Sequence, residues 1–164
     1  MITRLTHSVL KDATKRNGLV RYTNLQQYFL TSSASGVQSI TEEEVLQLQA
    51  NWGNAIKTIS KSYLDKGDFV GVAGEAAAEL YGYGHSNVLF KPTKAAENPF
   101  RPNGNGAMSY FVGGNAVDGG YDEDGGFAIN GGKGWKEVVF INHQIDLNGP
   151  VAIAMGSYIF TCAS

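Results

Sequence analysis

An α+β domain is predicted, a long helix and a shorter one packed on a curved antiparallel sheet, and three observations predict it. Apolar residues recur at three- and four-residue steps from Val45 to Tyr63. An alanine-rich helical stretch follows from Phe69 to Tyr81. After Val88 the text holds only short apolar runs separated by Gly, Pro and Asn.

The first helix has both a start signal and a face. Thr41 and Glu44 form a Thr-x-x-Glu capping box, with acids in the first turn where the helix dipole favours them. Val45, Leu48, Trp52, Ile56, Ile59 and Tyr63 then make one stripe about five turns long, as on a helix lying over a sheet. Asp65-Lys66-Gly67-Asp68 stops it. In the second helix Gly71 and Gly74 each cost roughly 1 kcal/mol relative to Ala, which suggests close packing against a neighbour. Gly82 and Gly84 end it at positions suited to positive φ.

The remainder is read as strand and loop. Val88–Lys91 and Ser109–Val112 are expected strands, with Pro92 at a strand end. Asn115–Gly126 is expected to be a solvated acidic loop, and Phe127–Ile129 a short strand before the turn Asn130-Gly131-Gly132. Trp135–Asn142 and Val151–Thr161 are longer strands, with Asn148-Gly149 as the hairpin signal between them.

The chain has 164 residues, enough for one domain with an extra segment. Glycine is frequent, at 21, and clusters between Gly104 and Gly134, which points to turn-rich connections. A net charge of −2 gives no indication of a nucleic-acid partner. No apolar run reaches the ~20 residues of a membrane span. The single cysteine, Cys162, excludes an internal disulfide framework and is read as a small buried hydrophobe.

Residues 1–40 stand apart. They carry five basic side chains (Arg4, Lys11, Lys15, Arg16, Arg21) against one acid, Asp12, with ten Ser or Thr. Ile2, Leu5, Val9 and Ala13 share one helical face. This is the profile of an organelle transit peptide, mitochondrial or plastid. The alternative is a basic arm or first helix of a cytoplasmic protein, with the domain proper at 41–164.

Three kinds of site are weighed and set aside. His7, His85 and His143 do not pair at metal-ligand spacings, and zinc sites usually require three or four converging ligands. Asp122-Glu123-Asp124-Gly125 resembles a calcium loop, but counting from Asp118 puts Gly120 at position 3 and Ile129 at position 12, so the match fails. Gly113-Gly114 and Gly131-Gly132 lack the strand-to-helix context of a phosphate loop and read as turns.

The hydroxyls remain, in Val88–Gly114, VLFKPTKAAENPFRPNGNGAMSYFVGG. With LYGYGHSNVLFKPTKAAE before and GFAIN, VVFIN and VAIAMGSYIF after, this text resembles the iota-class carbonic anhydrases over roughly Thr41 to Cys162. That family takes in the limiting-carbon-dioxide-inducible proteins of algae. The resemblance implies a cone of the nuclear transport factor 2 or cystatin kind, also seen in the association domain of calcium/calmodulin-dependent kinase II. It implies carbon dioxide and bicarbonate as ligands, a metal-independent pocket without cofactor, and a homo-oligomer, dimeric or larger. It also implies that Thr93 (Lys-Pro-Thr) and Tyr110 (Ser-Tyr-Phe) line that pocket as catalytic residues. Each is expected at a strand end, orienting a water toward the substrate carbon and donating to its oxygens. Phe90, Phe111, Phe140 and Tyr158, with Ser157, are the candidate lining of the apolar slot.

Family members continue past the Ala-Met-Gly-x-Tyr strand (Ala154–Tyr158) into two further strands, the last bearing a His and a Ser for the same pocket. This chain ends at Ser164. The resemblance therefore implies a sheet lacking its final strands, with the edge and inner face of Val151–Thr161 exposed, and weak or no turnover for the isolated chain. A second reading follows, a cone-fold module that assembles or binds a small ligand without turnover.

Overall fold

The computed structural model describes residues 2–4 (backbone only), 39–84 and 86–164. Helix α1 spans Glu42–Leu64, with Thr41 as its N-cap. The expected capping box is formed in both directions: Glu44 N donates to Thr41 Oγ1 at 3.2 Å, and Thr41 N donates to Glu44 Oε2 at 2.7 Å. Such a cap stabilises a helix by about 1 kcal/mol. The stripe faces inward, with Val45, Ile56 and Ile59 buried. Gly53 sits against Val138, where an added Cβ would lie 3.4 Å from the valine side chain. Its lack of a side chain lets the helix approach the sheet closely.

Helix α2, Phe69–Tyr81, ends at Gly82 in the left-handed region, φ 70°. Asp68, expected only to stop α1, is the N-cap of α2 and accepts from Gly71 N at 2.8 Å. Gly71 therefore lies beside its own cap and Gly74 meets nothing within 4 Å. Neither glycine serves the expected packing against a neighbour.

Helix α3, Gly104–Val112, replaces the strand expected at Ser109–Val112. Asn103 caps it by accepting from Gly106 N at 2.8 Å. The expected strands Val88–Lys91 and Phe127–Ile129 are also absent. In the first, Phe90 O accepts from Arg101 N, but no ladder forms. In the second, Phe127 N and Ala128 N donate to Tyr110 O and Phe111 O, at 2.8 and 2.9 Å. Those are carbonyls of the last turn of α3, which have no partner inside the helix and take the amides a strand would have used.

The sheet is a hairpin, β2 (Trp135–Asn148) against β3 (Val151–Cys162), with Gly149 at φ 57° in the turn. The register shifts between Asn142 and Gln144, so His143 bulges from the ladder. Strand β1, Ile2–Arg4, pairs antiparallel with Val151–Ile153 of β3, so the order is β1-β3-β2. These three residues thus leave the helical face expected for the N-terminus, because the free edge of β3 offers them ladder partners. Leu5, Val9 and Ala13, like His7 and His85, lie outside the described residues. Cys162 is in a strand as expected but is exposed, at the end of β3.

The core lies where the helices meet the start of the hairpin: Ile56, Ile59, Ala73, Ala107, Phe111, Val112, Ala128 and Ile129 pack around Tyr110. Among the described residues no helix is long and apolar enough to cross a membrane.

Candidate functional site

Tyr110 is the centre of the candidate site. It lies on α3 and is 6% exposed. Its ring stacks on Phe127 (centroids 5.4 Å, planes at 13°) and meets Phe90 and Phe111 edge-on, at 5.8 and 5.6 Å. Phe90 in turn stacks on Phe111 at 5.6 Å. Three of the expected aromatic residues therefore form one cluster. Phe140 and Tyr158 form another, 5.7 Å apart on facing strands, and Trp52 touches both and also Phe127. Trp52 is the bridge and Tyr81 its anchor, through a 2.8 Å hydrogen bond from Trp52 Nε1 to Tyr81 Oη. Ser157 is not in this lining. Successive strand residues face opposite sides, so with Tyr158 turned toward Trp52, Ser157 stands on the outer face, opposite Ile141.

Thr93 is exposed, in a turn rather than at a strand end. The following peptide is the informative contact. Burial pushes the Tyr110 phenol up to about 12, and the backbone N–H of nearby Lys94 offsets part of that rise. Tyr158 and Asp124 raise it further and Arg101 lowers it. Lys94, the residue after Thr93, thus lies on the same cleft as Tyr110, and the phenol keeps its proton at neutral pH. The cleft measures about 260 Å³ and is lined by Lys94, Tyr110, Glu123, Asp124, Phe127 and Asn130.

The acidic loop is not the solvated run expected. Asp118 and Asp122 are exposed, but Asp124 is 9% exposed and Arg101 fully buried. Arg101 Nη2 donates to Asp124 Oδ1 and Oδ2, at 2.9 and 3.2 Å, and the guanidinium lies 4.2 Å over the Tyr121 ring. Ser109 Oγ completes the group, donating to Asp124 Oδ2 and accepting from Tyr121 N. Glu123 accepts from three successive amides: Ala96 N (2.7 Å) and Glu97 N (2.9 Å) on Oε2, and Asn98 N (2.6 Å) on Oε1. These bonds hold its pKa down to about 2. Sequence reasoning missed all four residues, since the partners are far apart in the chain. The one local signal is an arginine held between Phe100 and Pro102.

The arrangement supplies a neutral phenol and the Phe127 ring beside an open cleft. It suits a small, mostly apolar substrate on which negative charge develops at oxygen. Comparison with known proteins agrees. Residues 43–164 match the family model described as metal-independent carbonic anhydrase. A metal-independent carbonic anhydrase of Nostoc sp. is 39% identical over 127 residues, 76% of this chain and 59% of the relative. The chain thus spans about three fifths of the length of that relative. The crystal structure of a cyanobacterial iota-carbonic anhydrase complexed with bicarbonate matches with a TM-score of 0.69 at 37% identity, over 79% of this chain and 77% of that one. On its sequence and on its fold alike, the chain belongs to the metal-independent carbonic anhydrase family.

Proposed function

We propose that the chain interconverts carbon dioxide and bicarbonate at the cleft beside Tyr110, with Thr93 and Tyr110 as catalytic residues. The observation that carries this reading is the cleft that Lys94, next to Thr93, and Tyr110 line together, in a chain similar to a solved protein complexed with bicarbonate. In the hydration direction, a water held at the Thr93 hydroxyl attacks the carbon and forms the new C–O bond. Negative charge grows on the substrate oxygens, where the protonated phenol donates a hydrogen bond without transferring its proton. The water's proton leaves through the open side of the cleft to buffer. Phe90, Phe111 and Phe127 keep the carbon on an apolar wall.

Stopped-flow hydration tests it. Thr93→Ala and Tyr110→Phe are each expected to lower the rate by about 10²-fold, the scale of one lost oxyanion donor. Parental rates in both would remove the assignment.

A second reading, assembly without turnover, is favoured by the outer face of the hairpin, where Ile141, Ile153, Met155 and Ile159 are about half exposed. We read the chain as a homodimer or larger, built on the family's cone. Organelle delivery rests on the basic, acid-poor composition of residues 1–40. The pairing of Ile2–Arg4 with β3 favours the alternative, in which these residues stay with the domain. Imaging a fusion of residues 1–40 to a fluorescent protein decides between them.

A further inference from the structure

The loop that carries Thr93 has little backbone structure of its own. Among the described residues, no backbone–backbone hydrogen bond involves Lys91 to Phe100, and the nearest is Arg101 N to Phe90 O. Its conformation is held by side chains from outside it. Glu123 receives three consecutive amides, Ala96, Glu97 and Asn98, on its two oxygens. Arg101 Nη1 donates to Asn98 O. A run of backbone N–H groups converging on one point is an anion-binding nest, and here it is filled by a carboxylate of the same chain.

Glu123 is itself fixed. Its neighbour Asp124 is bound by Arg101 and Ser109, and Arg101 Nη2 lies 3.6 Å from Glu123 Oε1. The chain of contacts therefore runs from Ser109 on α3, through Asp124 and Glu123, to the loop. The loop then brings Lys94 to the cleft that it lines together with Glu123 and Tyr110, the residue next to Ser109.

We propose that Glu123 is a positioning residue for the reaction: by gathering the Ala96–Asn98 amides it holds the Thr93–Lys94 peptide against the Tyr110 phenol. The role rests on the proposed function for its catalytic meaning, while the geometric part stands by itself. Both carboxylate oxygens of Glu123 are taken up by the loop amides. Its effect is exerted through the loop, and misplacement of a reacting group by about 1 Å is enough to lose 10²-fold in rate.

The experiment uses the full chain with Glu123→Ala and Glu123→Gln, each made with and without Tyr110→Phe. Three readouts are taken: stopped-flow hydration, thermal melting, and the ultraviolet titration of Tyr110 obtained as the difference between each pair. Glu123→Ala is expected to lower kcat roughly tenfold or more with KM changed less. It should also move the Tyr110 titration, because the Lys94 amide no longer faces the phenol. Glu123→Gln keeps one acceptor oxygen and should fall between Ala and the parent on both measures.

A Glu123→Ala chain that titrates at Tyr110 as the parent does overturns the proposal, whatever its rate. Should that chain fail to fold, Glu123→Gln decides on the same titration. If the parent itself shows no hydration, the functional reading fails, and the titration still judges the positioning role.

Discussion

Ser109 Oγ, itself fully buried, donates to Asp124 Oδ2, and the buried Arg101 guanidinium donates to the same carboxylate. The buried arginine is tolerable because a carboxylate, the Tyr121 ring and the Asn98 carbonyl surround it. Removing one partner of such a pair leaves an uncompensated charge indoors. Asp124→Ala should therefore cost about 3–5 kcal/mol in denaturant unfolding. Arg101→Met, which removes the charge and keeps the bulk, should be destabilising by a similar amount, because it leaves the buried Asp124 carboxylate without its cation. Equal stability of Asp124→Ala and the parent would show that the pair carries no structural load.

How much of this was legible in the sequence depended on the range of the interaction. Helix α1 was legible because its cap, Thr41 with Glu44, and its stripe from Val45 to Tyr63 are local patterns. The hairpin was legible through Asn148-Gly149. Helix α3 was not. Six of its nine residues are buried, so no polar face marks a period, and a short apolar run ending in Tyr-Phe-Val reads equally well as a buried strand. Only Asn103, a good N-cap residue before Gly104, hinted otherwise. Tyr110 was reached through family resemblance, not through its pattern. Arg101 and Asp124 are 23 residues apart, and nothing in composition pairs them.

Acid should loosen the Thr93 loop before it unfolds the helices. The folded pKa of Glu123, about 2, lies below its ordinary 4.5, held down by three amides. A depressed carboxylate contributes stability that is present above its unfolded pKa and lost as pH falls through the folded one. The window is therefore pH 4.5 down to 2. Hydrogen exchange at Ala96, Glu97 and Asn98 should accelerate across that window in the parent. In Glu123→Gln, which keeps one acceptor oxygen but cannot titrate, exchange should already be faster than in the parent at neutral pH, with no further step.

Alkali acts on the aromatic cluster. Burial raises Tyr110 and Tyr83 to about 12 and Tyr81 higher still. A tyrosine whose folded pKa is raised contributes stability that is complete below pH 10 and disappears as pH rises through the folded value. Unfolding free energy should thus decline from pH 10 to 12. Tyr110→Phe removes one titrating group without emptying its place against Phe127, and should make that decline shallower in denaturant titrations at pH 9, 10 and 11. An unchanged slope would mean that Tyr110 is hydrated.

The outer face of the hairpin carries the last prediction. Val139, Ile141, Ile153, Met155 and Ile159 are all more than 40% exposed, and in the ladder Val139 faces Ile159. Contiguous apolar surface of this kind marks a contact with another molecule. Surface substitutions that touch no buried group usually change stability by no more than 0.5 kcal/mol, so a charge placed here tests association separately from folding. Ile141→Lys with Ile159→Lys should lower the mass measured by light scattering toward that of one chain while the melting transition stays close to the parent's. The pair of lysines also repels its own copy across any two-fold contact on this face, which makes the expected change large at low salt and smaller at high salt. A mass that stays above one chain in the double variant would move the interface elsewhere, and a parent that is already monomeric would remove the assembly reading altogether.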